Sequence, residues 1–136
     1  MRSASQPPAH SGNRVQPAIG LYLHVPFCRS RCDYCDFDTF AGLETLVPAY
    51  AQALKTEIRA AAEHWRSGSV STVYVGGGTP SLLPIAIVAD LVSVLNSAFG
   101  LINCAEFSFE ANPGTLSKGY LRDLRALGID RLSLGV

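Results

Sequence analysis

Charged residues are few in this sequence, and neither sign prevails. Its 136 residues include eleven Lys and Arg against eleven Asp and Glu, so the formal net charge at pH 7 is zero. A chain without a basic surplus gives no reason to expect a nucleic acid or an anionic membrane as its partner. The sequence also has no apolar run of about 18 residues, so we expect no transmembrane segment.

The N-terminal segment 1–18 lacks an apolar core and any apolar periodicity. Its Ser, Pro, Gln, Gly and Asn content is typical of disorder, and without an apolar core it does not resemble a secretory signal. We therefore expect a disordered tail at 1–18 and a folded region at 19–136. The expected compartment is the reducing cytoplasm, where disulfides are rare.

Cysteine is also rare, but three of the four cysteines lie close together. Cys28, Cys32 and Cys35 form a C-x3-C-x2-C motif. In a reducing compartment such spacing indicates ligands of a metal or a cluster rather than a disulfide framework. The fourth, Cys104, has no other cysteine near it in the sequence, and we expect it to be a small buried apolar residue.

Apolar periodicity predicts strands and helices in alternation. Strands are expected at 20–27, 71–75, 105–111 and 130–136, and helices at 49–65, at 84–99 and between Ser117 and Gly128. Helical connections imply parallel neighbouring strands, so the order predicts an α/β fold with about four parallel strands and three helices. An open parallel sheet leaves a face and an edge uncovered. We therefore expect the N-terminal part of a longer protein.

Polar and apolar residues alternate within the predicted strands, as Tyr22 and His24 do with Leu23 and Val25. Side chains in a strand point to opposite faces in turn, so the polar residues of all strands would share one face. Parallel strands that are buried on both faces are usually apolar throughout. We interpret the polar face as the ligand-holding interior of a curved sheet; the alternative is amphipathic strands that face water.

Three thiolates on one loop can hold zinc or an iron–sulfur cluster. Structural zinc needs four protein ligands, and no second cysteine pair follows at zinc-finger spacing. A 4Fe–4S cluster takes one ligand per iron, so three cysteines leave one iron open to a small molecule. The triplet, residues 76–79 and residues 110–112 each follow a predicted strand. Because ligands gather at the carboxyl ends of parallel strands, these segments would converge at one rim.

With these motifs, the chain resembles the radical S-adenosylmethionine family. The C-x3-C-x2-C triplet with Tyr34 before its third cysteine is similar to the family signature. The stretches "YLHVPFC", "CDF", "GGGTPS", "EANPGTL" and "RLSLGV" resemble the branch that contains oxygen-independent coproporphyrinogen III oxidases and haem chaperones. The resemblance covers about residues 20–136 and implies the N-terminal portion of an incomplete TIM-like (β/α)6 barrel.

The resemblance also implies cofactors and a role for each site residue. Cys28, Cys32 and Cys35 would bind three irons of a 4Fe–4S cluster, and S-adenosylmethionine would bind the fourth through its amino and carboxylate groups. One electron from the cluster would cleave the sulfonium and give a 5′-deoxyadenosyl radical, which implies an electron donor protein. The residues implied for S-adenosylmethionine are Tyr22 beside the cluster, Tyr34 near the adenine, Gly77, Gly78 and Thr79 at the methionine end, and Glu110 on a hydroxyl or ammonium group.

Phe37 separates the two kinds of relative within this branch. The oxidases carry a further cysteine two residues after the third, where this chain has Phe37. This form resembles the chaperones, so we expect a protein that binds haem and delivers it to haem-acceptor proteins, with its haem site beyond Val136. The alternative is an oxidase that decarboxylates coproporphyrinogen III to protoporphyrinogen IX.

Overall fold

The structure, a computed structural model, describes residues 18–65, 69–101 and 104–135. The strands are β1 (Ala18–Val25), β2 (Phe27–Cys28), β3 (Phe40–Ala41), β4 (Ser69–Gly77), β5 (Glu106–Ala111) and β6 (Arg131–Leu134). The helices are α1 (Val47–His64), α2 (Ile85–Phe99) and α3 (Lys118–Ala126). The predicted tail lies outside the described residues, except for Ala18, which begins β1. The sequence also offers Gly68, three residues after Trp65, as a residue that could end α1, and it too lies outside the described residues.

Four strands form one parallel sheet in the order β1-β4-β5-β6. Each neighbouring pair is parallel, and a helix connects each strand to the next. The predicted α/β fold with four parallel strands and three helices is therefore confirmed. The sequence did not predict the second sheet, in which β2 and β3 pair in parallel through only two residues each.

The helix ends follow from the local sequence. Pro48 lies in the first turn of α1, where its missing N–H costs no hydrogen bond. Ser117 caps α3 by accepting a hydrogen bond from the backbone N–H of Tyr120 at 3.1 Å. Gly100 ends α2 in the left-handed conformation, with a φ of 63°. None of the described helices is long and apolar enough to cross a membrane.

The end of β4 differs from the prediction that the glycines stop this strand at residue 75. The strand continues to Gly77, which pairs with Val25 of β1. Gly76 is buried, and a Cβ atom there would lie 2.7 Å from the ring of Tyr74 and 3.0 Å from the carboxylate of Glu110. The missing side chain therefore makes room for two polar neighbours instead of ending the strand.

The apolar strand residues face the helices and form the core. Leu23, Val75 and Phe109 lie side by side on β1, β4 and β5, and each is at most 6% exposed. They pack in one cluster with residues of the helices, among them Val88, Leu91, Val92, Leu95 and Leu124. Burial of each such side chain contributes about 1.5–3 kcal/mol, so this layer fixes how the strands lie against the helices.

The polar strand residues share the other face, as the alternation predicts. Tyr22, Tyr74, Ser108 and Arg131 are register neighbours across β1, β4, β5 and β6. The rings of Tyr22 and Tyr74 stack with their centroids 6.0 Å apart and their planes at 21°. The candidate site predicted from the sequence lies at the carboxyl ends of these strands.

Candidate functional site

Three segments that the sequence predicts to converge do meet at the carboxyl ends of β1, β4 and β5. The glycine-rich turn at residues 77–79 is at their centre, and each of its backbone N–H groups donates to a different partner. Gly78 donates to the carbonyl of Val25 at 2.7 Å, and Thr79 donates to that of Phe27 at 2.8 Å. Gly77 donates to the carboxylate of Glu110 at 3.0 Å. The turn thus connects the start of the cysteine loop to the end of β5.

The cysteine loop, residues 28–39, is closed at its base by the small sheet of β2 and β3. Phe27 pairs with Phe40, whose backbone N–H also donates to the carbonyl of Pro26 at 2.8 Å. Within the loop, the backbone N–H of Cys35 donates to the carbonyl of Cys32 at 3.1 Å and forms a turn. Two-residue strands show no periodicity, which explains why the sequence did not reveal this closure.

All three cysteines of the loop are free thiols, Cys32 exposed and the other two half-buried. Two of them have a hydroxyl neighbour: Thr79 Oγ1 lies 3.8 Å from Cys28 Sγ, and Thr39 Oγ1 lies 3.8 Å from Cys35 Sγ. Hydroxyl groups next to a ligating sulfur orient it and stabilise its charge. Sequence reasoning missed Thr39, which is only 4% exposed and four residues after Cys35.

Gly78 lets the glycine-rich turn approach the first cysteine closely. A Cβ atom at this position would lie 2.6 Å from the carbonyl oxygen of Phe27 and 2.9 Å from Cys28 Sγ. Real Cβ atoms do not come so close to backbone atoms, so a larger residue would push the turn away from the cysteine loop. Gly78 and Cys28 are thus in direct contact, although 50 positions separate them in the sequence.

The donor atoms of the loop are three thiols. Among residues 18–65, 69–101 and 104–135, no group of three or more His, Cys, Asp or Glu side chains is already gathered around a single point as the ligands of one metal ion would be. In a 4Fe–4S cluster each thiolate binds a different iron. Three soft thiolate donors on one loop fit such a cluster.

Glu110 accepts two hydrogen bonds at the end of β5. Its Oε1 accepts from the hydroxyl of Tyr74 at 2.6 Å, and its Oε2 accepts from the backbone N–H of Gly77 at 3.0 Å. The first bond is the main reason why the pKa of Tyr74 is raised. Each carboxylate oxygen has a further lone pair, so Glu110 can still accept from a ligand. Sequence reasoning missed Tyr74, although it shares the polar face with Tyr22 and comes just before the glycines.

Tyr22 and His24 lie on the same rim. The Tyr22 hydroxyl is 3.2 Å from His24 Nδ1, and His24 Nε2 is 2.8 Å from the backbone carbonyl of Asp38. A carbonyl only accepts, so Nε2 carries a proton and donates it to the carbonyl of Asp38. His24 therefore connects β1 to the end of the cysteine loop. Burial, and then the charge of Glu110, raise the pKa of Tyr22.

Tyr34 and Cys104 occupy different surroundings. Tyr34 is 83% exposed, and a hydrogen bond with the neighbouring Cys32 raises its pKa. Cys104 precedes β5, at the opposite end of that strand from the cysteine loop, and its thiol donates to the carbonyl of Glu106 at 3.2 Å. Cys104 is half-buried against the core, so the expectation of a fully buried residue is only partly correct.

Comparison with known proteins defines the class to which this fold and site belong. Residues 22–136 match the Radical SAM superfamily, and the chain belongs to that family. The particular relatives include the heme chaperone HemW of Mycobacterium tuberculosis, 45% identical over 121 residues, and that of Escherichia coli, 36% identical over 122. These alignments cover 87% and 88% of this chain, but 31% and 32% of the relatives.

Oxidases are also among the relatives. The oxygen-independent coproporphyrinogen III oxidase of Bradyrhizobium diazoefficiens is 38% identical over 121 residues, 88% of this chain and 27% of that protein. In three dimensions, the coproporphyrinogen III oxidase HemN of Escherichia coli, a radical SAM enzyme, matches with a TM-score of 0.79 and 33% identity. This match covers 89% of our chain and 28% of HemN. The chain thus spans about a third of the length of the relatives it matches, and its fold is part of their TIM-like barrel.

Proposed function

We propose that residues 19–136 form part of a cofactor-binding domain in which Cys28, Cys32 and Cys35 hold a 4Fe–4S cluster and S-adenosylmethionine binds beside it. The observation that carries this proposal is the position of three free thiols on one closed loop, against a glycine-rich turn and a strand-end carboxylate. When bound, the reduced cluster supplies the single electron that cleaves the sulfonium of S-adenosylmethionine. That electron requires a donor protein as partner.

The hydrogen bonds of the glycine-rich turn determine which atoms it offers to S-adenosylmethionine. The N–H groups of Gly77, Gly78 and Thr79 all donate within the protein. A donor already in use has little left for a carboxylate, so the turn would meet the ammonium of the methionine end through carbonyl oxygens. The carbonyl of Thr79 already accepts from the backbone N–H of Leu82 at 2.9 Å and has one lone pair left. The free lone pairs of Glu110 would accept from a second ammonium hydrogen or from a ribose hydroxyl. Such groups position the cofactor, while the cofactor supplies the chemistry.

The two tyrosines complete the proposed binding surface. Tyr22 is 58% exposed on the polar face, and its stacking on Tyr74 holds its ring in place. We assign Tyr22 to the surface beside the cluster. Tyr34 is exposed next to Cys32, and we assign it to the adenine side.

For the intact protein, we propose haem binding and delivery in the reducing cytoplasm. Phe37, 63% exposed, stands where the oxidases of this branch carry a further cysteine, and several relatives are named heme chaperones. Haem and haem-acceptor proteins are the proposed partners. The second candidate is oxidation of coproporphyrinogen III, which the similarity in fold to HemN favours.

Anaerobic reconstitution of the intact protein tests the proposed cofactors. We expect iron and sulfide in equal amounts, and an electron paramagnetic resonance signal of the reduced cluster that changes when S-adenosylmethionine is added. One zinc ion per chain, with no iron or sulfide after reconstitution, would instead show a zinc-binding module. A cluster signal that S-adenosylmethionine leaves unchanged would refute the open iron.

A second experiment separates haem delivery from oxidation. The reconstituted protein is incubated without oxygen with coproporphyrinogen III, S-adenosylmethionine and a reductant, and separately with haem. Stable haem binding without turnover supports the chaperone. Formation of protoporphyrinogen shows the oxidase and refutes a purely chaperone role.

A further inference from the structure

We propose that Ser81 is a positioning residue for S-adenosylmethionine, because a ring of hydrogen bonds around its hydroxyl fixes the glycine-rich turn relative to Glu110. This inference rests on the proposed function of the site. Ser81 lies in the short helical turn Pro80–Leu82 after β4 and is only 5% exposed. Its partners, Asn112 and Thr115, follow β5.

The direction of every hydrogen bond in this ring can be deduced. The backbone N–H of Asn112 donates to Ser81 Oγ at 3.1 Å, and the Thr115 hydroxyl donates to the carbonyl of Asn112 at 2.7 Å. A hydroxyl carries one proton, so Thr115 has none left for Ser81. The Ser81 hydroxyl must therefore donate to Thr115 Oγ1, which is the third hydrogen bond of the ring. The ring is closed, and each hydroxyl both donates and accepts.

The ring connects the turn after β5 to the segment after β4. The turn after β5 has its own local bonds, since Asn112 Oδ1 accepts from the backbone N–H of Gly114 at 2.9 Å. The Thr115-to-Asn112 bond is local as well. Among the hydrogen bonds that Asn112 and Thr115 make with other described residues, only the two to Ser81 reach the segment after β4. The Tyr120 hydroxyl in α3 also donates across, to the carbonyl of Leu83 at 3.0 Å. Removal of the Ser81 hydroxyl would thus leave the turn formed but loosen its attachment to the neighbouring strand end.

The ring lies close to the two groups that are proposed to bind S-adenosylmethionine, the Glu110 carboxylate and the glycine-rich turn. Asn112 comes two residues after Glu110, and Ser81 comes two residues after Thr79. The bond from Gly77 to Glu110 joins the same two strand ends closer to the sheet. The two cross-strand links therefore act in parallel, and the ring around Ser81 restricts how far the Glu110 carboxylate can move from the carbonyl groups of the turn. The cysteine loop contacts the turn at Gly78 and not through Ser81.

The test is carried out on the intact protein after anaerobic reconstitution, with iron content, S-adenosylmethionine affinity and thermal unfolding as readouts. We expect Ser81→Ala to keep the iron content of the wild type and to bind S-adenosylmethionine about tenfold more weakly, the order of magnitude of one lost hydrogen bond. Thr115→Val should weaken binding in the same way, while Thr115→Ser, which keeps the hydroxyl, should bind like the wild type. Since the ring acts as a unit, the double variant should bind no more weakly than the weaker single variant.

The control is Ser97→Ala, because the exposed hydroxyl of Ser97 donates only to the carbonyl of Ser93 within α2. Its affinity should equal that of the wild type. Wild-type affinity in both Ser81→Ala and Thr115→Val overturns the inference. A loss of iron that matches the loss of affinity also overturns it, because the ring would then support the fold in general. If Ser81→Ala does not fold, Thr115→Val alone decides. A wild-type protein that holds the cluster but never binds S-adenosylmethionine refutes the proposed function itself.

Discussion

The carboxylate of Glu110 accepts a hydrogen bond of 3.0 Å from the backbone N–H of Gly77, across the carboxyl ends of β5 and β4. The sequence places both residues in the candidate site, but it does not show that they contact each other. The contact uses one donor of the glycine-rich turn and half of the accepting capacity of one carboxylate oxygen. Because of this contact, the Gly77 N–H is no longer available as a donor to a ligand, and Glu110 Oε2 has one lone pair fewer to accept with. A substitution at either residue would also disturb the other.

Glu110→Gln tests the charge of the carboxylate while keeping its shape. The amide oxygen can still accept from Gly77, and the NH2 group can donate to the hydroxyl oxygen of Tyr74, so folding should be preserved. The negative charge is lost, and we expect S-adenosylmethionine to bind about tenfold more weakly, which corresponds to about 1.4 kcal/mol. Equilibrium binding to the reconstituted protein measures this, with Glu63→Gln on the exposed side of α1 as the matched control. Equal affinities of the two variants would contradict a role for Glu110.

Gly77→Ala should destabilise the protein by about 1–3 kcal/mol. Gly77 has a φ of 117°, and a Cβ atom there would lie 2.7 Å from Nδ1 of His24 and 2.9 Å from the carbonyl oxygen of Val25. Denaturant unfolding measures the effect. The control is Gly119→Ala in α3, where the nearest heavy atom would be 3.8 Å away and the substitution should be neutral or slightly stabilising. Similar stabilities for the two variants would contradict the inference that a Cβ atom at Gly77 has no room.

Replacement of any one of Cys28, Cys32 and Cys35 by serine should abolish the cluster, since a hydroxyl is a poor substitute for a soft thiolate. Cys104→Ser should keep the iron and sulfide content of the wild type, because serine can make the same hydrogen bond to the carbonyl of Glu106. Iron and sulfide analysis after anaerobic reconstitution provides the measurement. Iron loss in the Cys104 variant would mean that the ligand set is not the one proposed.

Stability should decrease at high pH, in part because of Tyr120. Burial raises the pKa of this residue from 10.0 to about 12, and its hydroxyl donates to the carbonyl of Leu83 at 3.0 Å. The folded state holds the phenol proton more tightly than the unfolded state does, so this contribution is complete below pH 10 and is lost as the pH rises towards 12. Urea unfolding from pH 9 upwards should show a shallower decrease for Tyr120→Phe than for the wild type. Parallel curves would refute the raised pKa.

The sequence was informative wherever a periodic pattern or a dense motif was present. The two-residue and 3.6-residue periods predicted the four long strands, the three helices and the shared polar face. The cysteine triplet predicted a ligand-bearing loop because its spacing is short and unusual; the three thiols do lie on one loop, and the cluster itself stays a prediction. By contrast, the partner of His24 is a backbone carbonyl, that of Asp38, which no residue type can reveal. The bond from Tyr74 to Glu110 depends on the register of β4 and β5, which only the folded sheet defines.

The two-residue ladder between β2 and β3 marks the base of the cysteine loop. Phe27 and Phe40 close the loop there, and the buried apolar cluster takes its residues from outside positions 28–39. Assembly of the proposed cluster would then be a local event that can follow folding of the strands and helices. Damage to the cluster by oxygen would empty the loop without unfolding the sheet, so the same polypeptide could be refilled repeatedly instead of being degraded and resynthesised.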